Sequence, residues 1–348
     1  MSVSAKVKNI PLGLPATVLL FILPVLAQAQ NVAVTPPNTG SGIEWTNPKP
    51  PFPALFFTDY YNSYKAQESA RPYWVTTEEE ANAQAKYLKD NISMLLNNDI
   101  LAFYGHPNSL NMGILGRFSK EELDARLTYL ARQYQDISGG RRILRAFYII
   151  YGTVWPEGDI GIIKESLLLE YIQYALEHDI LVFIDHQIGR YDPVESLKKM
   201  FPYLRYPNVH LALDPEWRTT KPMQEIGAIS ADEVNRAQKV LEEYMLAEGI
   251  NGERMLVIHQ FNWRMIGNRA QVKTGSDKVR LIHCADGFGA PSVKRQSYAY
   301  NAQAKNMPLK GFKLFYNFGI PGAGYDNPLL LPEEVYALDP RPYLLMYQ

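Results

Sequence analysis

The chain has 348 residues, 47% of them hydrophobic and 20% charged, with a formal net charge of −1. That balance excludes an intrinsically disordered chain and gives no basic tract of the kind that tracks a phosphate backbone, so no nucleic-acid partner is expected. The single cysteine, Cys284, cannot form an intramolecular disulfide, so stability must come from buried core.

Residues 1–29 read as a signal peptide. Lys6 and Lys8 open it, an apolar stretch runs from Leu12 to Leu26, and Ala27-Gln28-Ala29 supplies a small-x-small cleavage site. The apolar stretch is short for a membrane span and is broken by Pro15 and Pro24, so no stable membrane insertion is expected after cleavage. The expected address is secreted, periplasmic or cell-surface. Residues 30–53, with Pro36, Pro37, Pro48, Pro50, Pro51 and Pro53, form a proline-rich linker. A domain over 54–348 follows.

Thr77–Leu96 predicts an extra N-terminal helix. From residue 100 onward, short β-rich runs alternate with helical stretches. The runs are Ile100–Tyr104, Ile143–Ile150, Ile180–Ile184, Val209–Leu213, Met255–Ile258, Val279–Ile282, Gly311–Tyr316 and Tyr343–Tyr347. Continuous apolar runs of this length suit parallel strands buried on both faces. Capping boxes at Ser119/Glu122 and Ser230/Glu233 open two helices. Ile162–Glu177, Pro193–Leu204, Pro291–Ala304 and Pro332–Leu338 predict four more, and a short one is expected near Met265–Val272. Eight strands alternating with helices make the fold class α/β, a single (β/α)8 TIM-type barrel. A doubly wound sheet would carry a Gly-rich turn after its first strand, which is missing, and no cofactor is called for.

In such a barrel the active site lies where strands end and the following loops begin. Those positions hold Tyr104 and His106 after the first strand; Asp185, Gln187 and Arg190 after the third; and Asp214, Glu216, Trp217 and Arg218 after the fourth. His259 and Gln260 follow the fifth, His283 and Asp286 the sixth, and Tyr316 ends the seventh, which also contains Lys313. A lysine inside an apolar strand either points into the barrel toward a carboxylate or marks a misplaced strand.

Asp214 and Glu216 lie two residues apart on extended backbone and project to one side. In a dry pocket one would be driven toward protonation while the other stays charged. The bland alternative is an ion pair with Arg218. Catalytic roles therefore fall on Asp214, Glu216, Asp185 and His259. Substrate binding falls on Tyr104, His106, Gln187, Arg190, Trp217, Arg218, Gln260, His283, Asp286, Lys313 and Tyr316. Carboxylates beside Trp217, Trp263, Phe288 and Tyr316 suit a glycan or other polyhydroxylated ligand. The expected function is a secreted hydrolase acting on a glycan by carboxylate acid/base chemistry. Two alternatives use the same residues. One is a metal-dependent ester, amide or phosphoester hydrolase built on Asp185, Asp214, His259 and His283; no local metal-binding pair supports it. The other is a non-catalytic glycan-binding protein of the cell envelope.

The phrases LALDPEW, HQFNWRMI, HCADGFG and GFKLFY, with FYGHP and FIDHQIGR further upstream, resemble a family of exported bacterial proteins of unassigned activity. The resemblance supplies no catalytic residue. The architecture is similar to that of barrel glycoside hydrolases, whose common retaining pattern has a glutamate after the fourth strand and another after the seventh. Glu216 matches the first position. Tyr316-Asn317 departs from the second, which leaves the base or nucleophile to Asp185 or Asp214.

Overall fold

The computed structural model describes residues 94–95 and 97–348. The signal peptide, the proline-rich linker and almost all of the helix expected over 77–96 lie outside the described residues.

Eleven strands are described: β1 (Asn98–Gly105), β2 (Arg142–Val154), β3 (Ile160–Ile162), β4 (Leu181–Gln187), β5 (Val209–Asp214), β6 (Ile229–Ser230), β7 (Arg254–His259), β8 (Ile266–Gly267), β9 (Val279–Ala285), β10 (Lys310–Leu314) and β11 (Leu344–Tyr347). The order β1-β11-β10-β9-β7-β5-β4-β2, closed by β1 pairing with β2, makes an eight-stranded parallel barrel. Each apolar run read from the sequence falls on one of these strands.

The helices are α1 (Lys120–Ile137), α2 (Glu165–Glu177), α3 (Pro193–Lys198), α4 (Ala231–Ala247), α5 (Pro291–Ala302) and α6 (Pro332–Tyr336). Both capping boxes form, at Ser119/Glu122 before α1 and Ser230/Glu233 before α4. The segment expected as one helix over Pro193–Leu204 breaks after Lys198 and resumes as a 3-10 turn at Phe201–Arg205. Pro202, which lacks an N–H, cannot continue the α-helical ladder there. The helix expected from Ile162 begins later, because Ile160–Ile162 instead pairs antiparallel with the end of β2. In that hairpin Gly161 lies under the Trp155 indole, where a Cβ would come within 2.6 Å of the ring nitrogen. The helix expected near Met265–Val272 is two 3-10 turns, Trp263–Met265 and Arg269–Gln271.

The register carries one side-chain parity around the barrel. Tyr104 pairs with Tyr148, Ile150 with Asp185, Asp185 with Ala212, and Ala212 with Val257. His259 pairs with Cys284, Cys284 with Gly311, and Lys313 with Met346. These are the inward positions, and their apolar members form a core of their own inside the barrel. Small residues at Ala102, Ala146, Ala212 and Gly311 make room for Tyr148 and Phe183, so the interior is filled rather than open. The opposite parity, with Phe147, Ile184, Leu213 and Ile258, packs against the helices through residues such as Leu123, Leu127 and Leu241. Leu95 joins the inner core, whose members Leu309 and Tyr343 immediately precede β10 and β11, and so helps to close the floor.

Phe183 is fully buried and stacks on Tyr148 with ring centroids 5.1 Å apart. Phe183→Ala should cost about 3–5 kcal/mol of stability, from lost burial plus the cavity left behind. Urea unfolding of the two proteins measures it.

Candidate active site

The inward parity, followed to the C-terminal ends of the strands, converges on a polar set. Tyr104 comes from β1, Tyr148 from β2, Asp185 from β4, Asp214 from β5, His259 from β7, Asp286 from just past β9 and Lys313 from β10. All seven are buried. Lys313 points into the barrel, with its Nζ 3.8 Å from Asp286 Oδ2 and 3.7 Å from the Tyr104 ring centre. Its place inside an apolar strand is thus explained by a carboxylate and an aromatic face at the mouth.

His259 stands at the centre. Its Nδ1 lies 3.0 Å from Asp286 Oδ2, its Nε2 lies 2.7 Å from the Tyr148 hydroxyl, and Asp185 Oδ2 is 3.8 Å from the same Nε2. Burial alone would strip the imidazole of its proton, but Asp185, Asp286 and Asp214 outweigh burial and raise its pKa. Asp286 balances in the opposite direction: burial disfavours its charge, yet the hydrogen bond from His259 and the ammonium groups of Lys313 and Lys294 hold its pKa below the ordinary value. Asp286 and His259 therefore form an ion pair inside the barrel.

The other carboxyls are driven the other way. Burial raises the pKa of Asp185, partly opposed by His259, Lys313 and the Tyr104 hydroxyl. Asp214 is raised from 3.8 to about 7, by burial and by the negative charges of Asp286 and Asp185. Its Oδ1 accepts the backbone N–H of Glu216 at 3.3 Å, which caps the 3-10 turn Pro215–Trp217. Glu216 is raised well above the ordinary carboxylate range, by its packed surroundings first and then by repulsion from Asp214 and Asp286. It remains partly open to solvent. The surroundings thus favour the acid form at Glu216 and the charged form at Asp286.

Several residues expected at the site are used elsewhere. Arg218 forms a two-pronged ion pair with Glu233, 2.8 Å on each arm, and donates to the Ala228 carbonyl. It clamps the start of α4, and among the described residues Asp214 and Glu216 have no arginine partner. Arg190 pairs with Asp159 at the tip of the β2–β3 hairpin. Gln187 accepts the Val154 N–H at 2.8 Å and supports the same hairpin. His283 has the outward parity: its Nε2 meets Gln260 Oε1 at 2.8 Å, and Lys310 Nζ lies 3.3 Å from its Nδ1. Burial and the neighbouring Lys310 and Arg269 keep it neutral, with its pKa well below the ordinary value. Gln260 also accepts from Arg269, so both residues brace the layer between strands and α5. Tyr316 packs on Phe318 and Tyr347 rather than facing the barrel axis. His106 is half-buried and accepts the Asn108 N–H in the loop after β1, and Trp217 is half-buried in the turn that carries Glu216. Tyr148 is the participant that the strand ends did not reveal, because it lies inside β2 rather than after it.

The metal alternative required His259 and His283 to converge. The register sends them to opposite faces of the sheet, and both nitrogens of His259 already have partners. Among the described residues, no three of His, Cys, Asp and Glu gather in a metal-binding arrangement.

No family model matches the chain. No curated protein matches it either. Among solved structures, the YdhT protein from Bacillus subtilis aligns with a TM-score of 0.41 and 13% identity, covering 77% of this chain and 85% of that one. A chitinase from Chromobacterium violaceum aligns at 0.35 and 10% identity over 62% and 68% of the two chains. The Bacillus subtilis mannanase BCman aligns at 0.37 and 11% over 77% and 85%. Likenesses this distant carry no argument; the barrel is established by its own strand order.

Asp214 binds its proton far more tightly in the fold than in the unfolded chain, so folding takes up a proton between about pH 4 and pH 7. Stability falls as pH rises through that window. Asp214→Asn keeps an oxygen for the Glu216 N–H and removes the titration. The variant should be about 2–4 kcal/mol more stable than the parent at pH 8, with the gap closing toward pH 4, in urea unfolding at the two pH values.

Proposed function

We propose that this protein is a glycan-acting hydrolase with Glu216 as its general acid. The observation that carries the reading is the end of β5, where Asp214, its pKa raised to about 7, caps the 3-10 turn that carries Glu216, a partly exposed carboxyl pushed well above the ordinary carboxylate range and with no hydrogen bond or ion pair among the described residues. An acid near working pH next to a carboxylate is what cleavage of an acetal needs.

The chemistry follows from these positions. Glu216 gives its proton to the bridging oxygen, the bond from that oxygen to the sugar carbon breaks, and the electron pair leaves with the oxygen. Ionised Asp214 stabilises the positive charge that develops on the carbon. A water molecule then adds to the carbon, and its proton passes to the Glu216 carboxylate, restoring the acid. Asp286, His259 and Lys313 fix the field under the reacting centre, as preorganised charges do in a water-poor pocket. The half-buried Trp217 offers aromatic surface to a sugar. Export, with action on polymers outside the cell, goes with this reading through residues 1–29.

Purified protein should release reducing ends from at least one member of a panel of neutral polysaccharides, and Glu216→Gln should lose about 100-fold or more of that rate while keeping the parent's melting behaviour. Undiminished turnover by the folded variant would remove Glu216 from the mechanism. Retention of a glycan with no product over long incubation would favour a binding protein instead.

A further inference from the structure

Lys294 is a buried lysine that takes no direct part in the chemistry above. It lies in the first turn of α5, where an ammonium opposes the helix dipole, and it is 1% exposed. Burial lowers its pKa to about 8, even with Asp326 beside it. Its partners account for its place. Nζ donates to the Gly287 carbonyl at 2.6 Å and to the Lys313 carbonyl, and lies 3.2 Å from Asp326 Oδ2.

Asp326 is buried too, and it continues the brace. Its Oδ1 accepts the Gly289 N–H and its Oδ2 the Phe315 N–H, each at 3.0 Å, while its own N–H donates to the Phe315 carbonyl at 2.9 Å. The pair therefore ties Gly287 and Gly289, just past Asp286, to Lys313 and Phe315 on β10 and its loop. Asp286 and Lys313 are the carboxylate and the ammonium whose side chains meet at the mouth, 3.8 Å apart. The Phe288 ring lies directly over Gly324, where any Cβ would come within 2.3 Å of it, so the two loops are also packed against each other.

We propose that Lys294 and Asp326 are positioning residues of the active site, a buried cross-brace that fixes the ends of β9 and β10 so that Asp286 Oδ2 stays on His259 Nδ1 and beside Lys313. The role rests on reading this mouth as the reactive centre, but it can be measured without turnover. His259 is faced by Tyr148 from β2, Asp185 from β4, Asp214 from β5, Asp286 from the β9 loop and, across Asp286, Lys313 from β10. Its protonation therefore reports where Asp286 is.

The two roles open to Lys294 move His259 in opposite directions. Removing a nearby positive charge alone makes the imidazolium easier to form and raises its pKa. Letting Asp286 drift from Nδ1 makes it harder to form and lowers the pKa. In 15N-histidine NMR titrations, with the signal assigned by its loss in His259→Asn, Lys294→Met should lower the His259 pKa by about one unit or more. Lys294→Gln, which keeps an amide with two N–H donors, should lower it less. Both comparisons are made on protein that melts cooperatively. A His259 pKa that is unchanged or raised in a folded Lys294 variant overturns the positioning role. Loss of activity in Glu216→Gln bears on the reaction instead, so failure of one does not mimic failure of the other.

Discussion

The structure of the mouth depends on one ion pair, Asp286 against His259, with Lys313 alongside. Four carboxyls gather at this end of the barrel, three of them buried, where water screens them poorly from one another. Each pays a desolvation cost for ionising, and each makes ionisation harder for its neighbours. The imidazolium and the ammonium settle which carboxyl keeps its charge: the one within reach of both. Asp185, Asp214 and Glu216 are left to share what negative charge remains, and their pKa values rise. An acid group on the open side of the pocket is thus a consequence of a charge held below it.

The barrel makes this possible through parity. A parallel strand buried on both faces has no polar side on which to place chemistry, except where its last inward residue reaches the mouth. Tyr104, Asp214 and His259 are the last inward residues of their strands, Asp286 lies just past β9, and Asp185 is the inward residue next to the end of β4. Below them Ala102, Ala146 and Ala212 leave room for Tyr148 and Phe183, and that apolar filling is the dry floor against which the charges act. Farther out, the Lys294–Asp326 brace and the Arg218–Glu233 clamp fix the loops that carry Asp286 and Glu216.

Much of this was legible in the chain itself. The apolar runs locate all eight barrel strands, because a strand buried on both faces has no polar alternation to obscure it. Ser119/Glu122 and Ser230/Glu233 mark helix starts because capping is a local affair. Lys313 could be read as an inward lysine seeking a carboxylate. Asp214 and Glu216 read as a same-side pair on extended backbone, but Pro215–Trp217 winds into a 3-10 turn, so Glu216 does not follow the strand's parity. What the chain could not disclose was direction. His259 and His283 each follow an apolar run and look alike in sequence; only the register shows that one faces Asp286 and the other Gln260. Arg218 is two residues from Glu216 yet reaches Glu233, fifteen residues on, because the capping turn of α4 folds back beside it. Tyr148 was hidden inside a strand, where a tyrosine reads as core.

The decisive quantity is the proton on Glu216. Infrared difference spectra of the parent and Glu216→Gln at neutral pH isolate the carbonyl stretch of that single carboxyl. The expected result is a protonated-carboxyl band in the parent that disappears in the variant, with the carboxylate bands otherwise unchanged. A Glu216 that contributes only a carboxylate band at neutral pH would contradict the charge arrangement from which the acid role is derived.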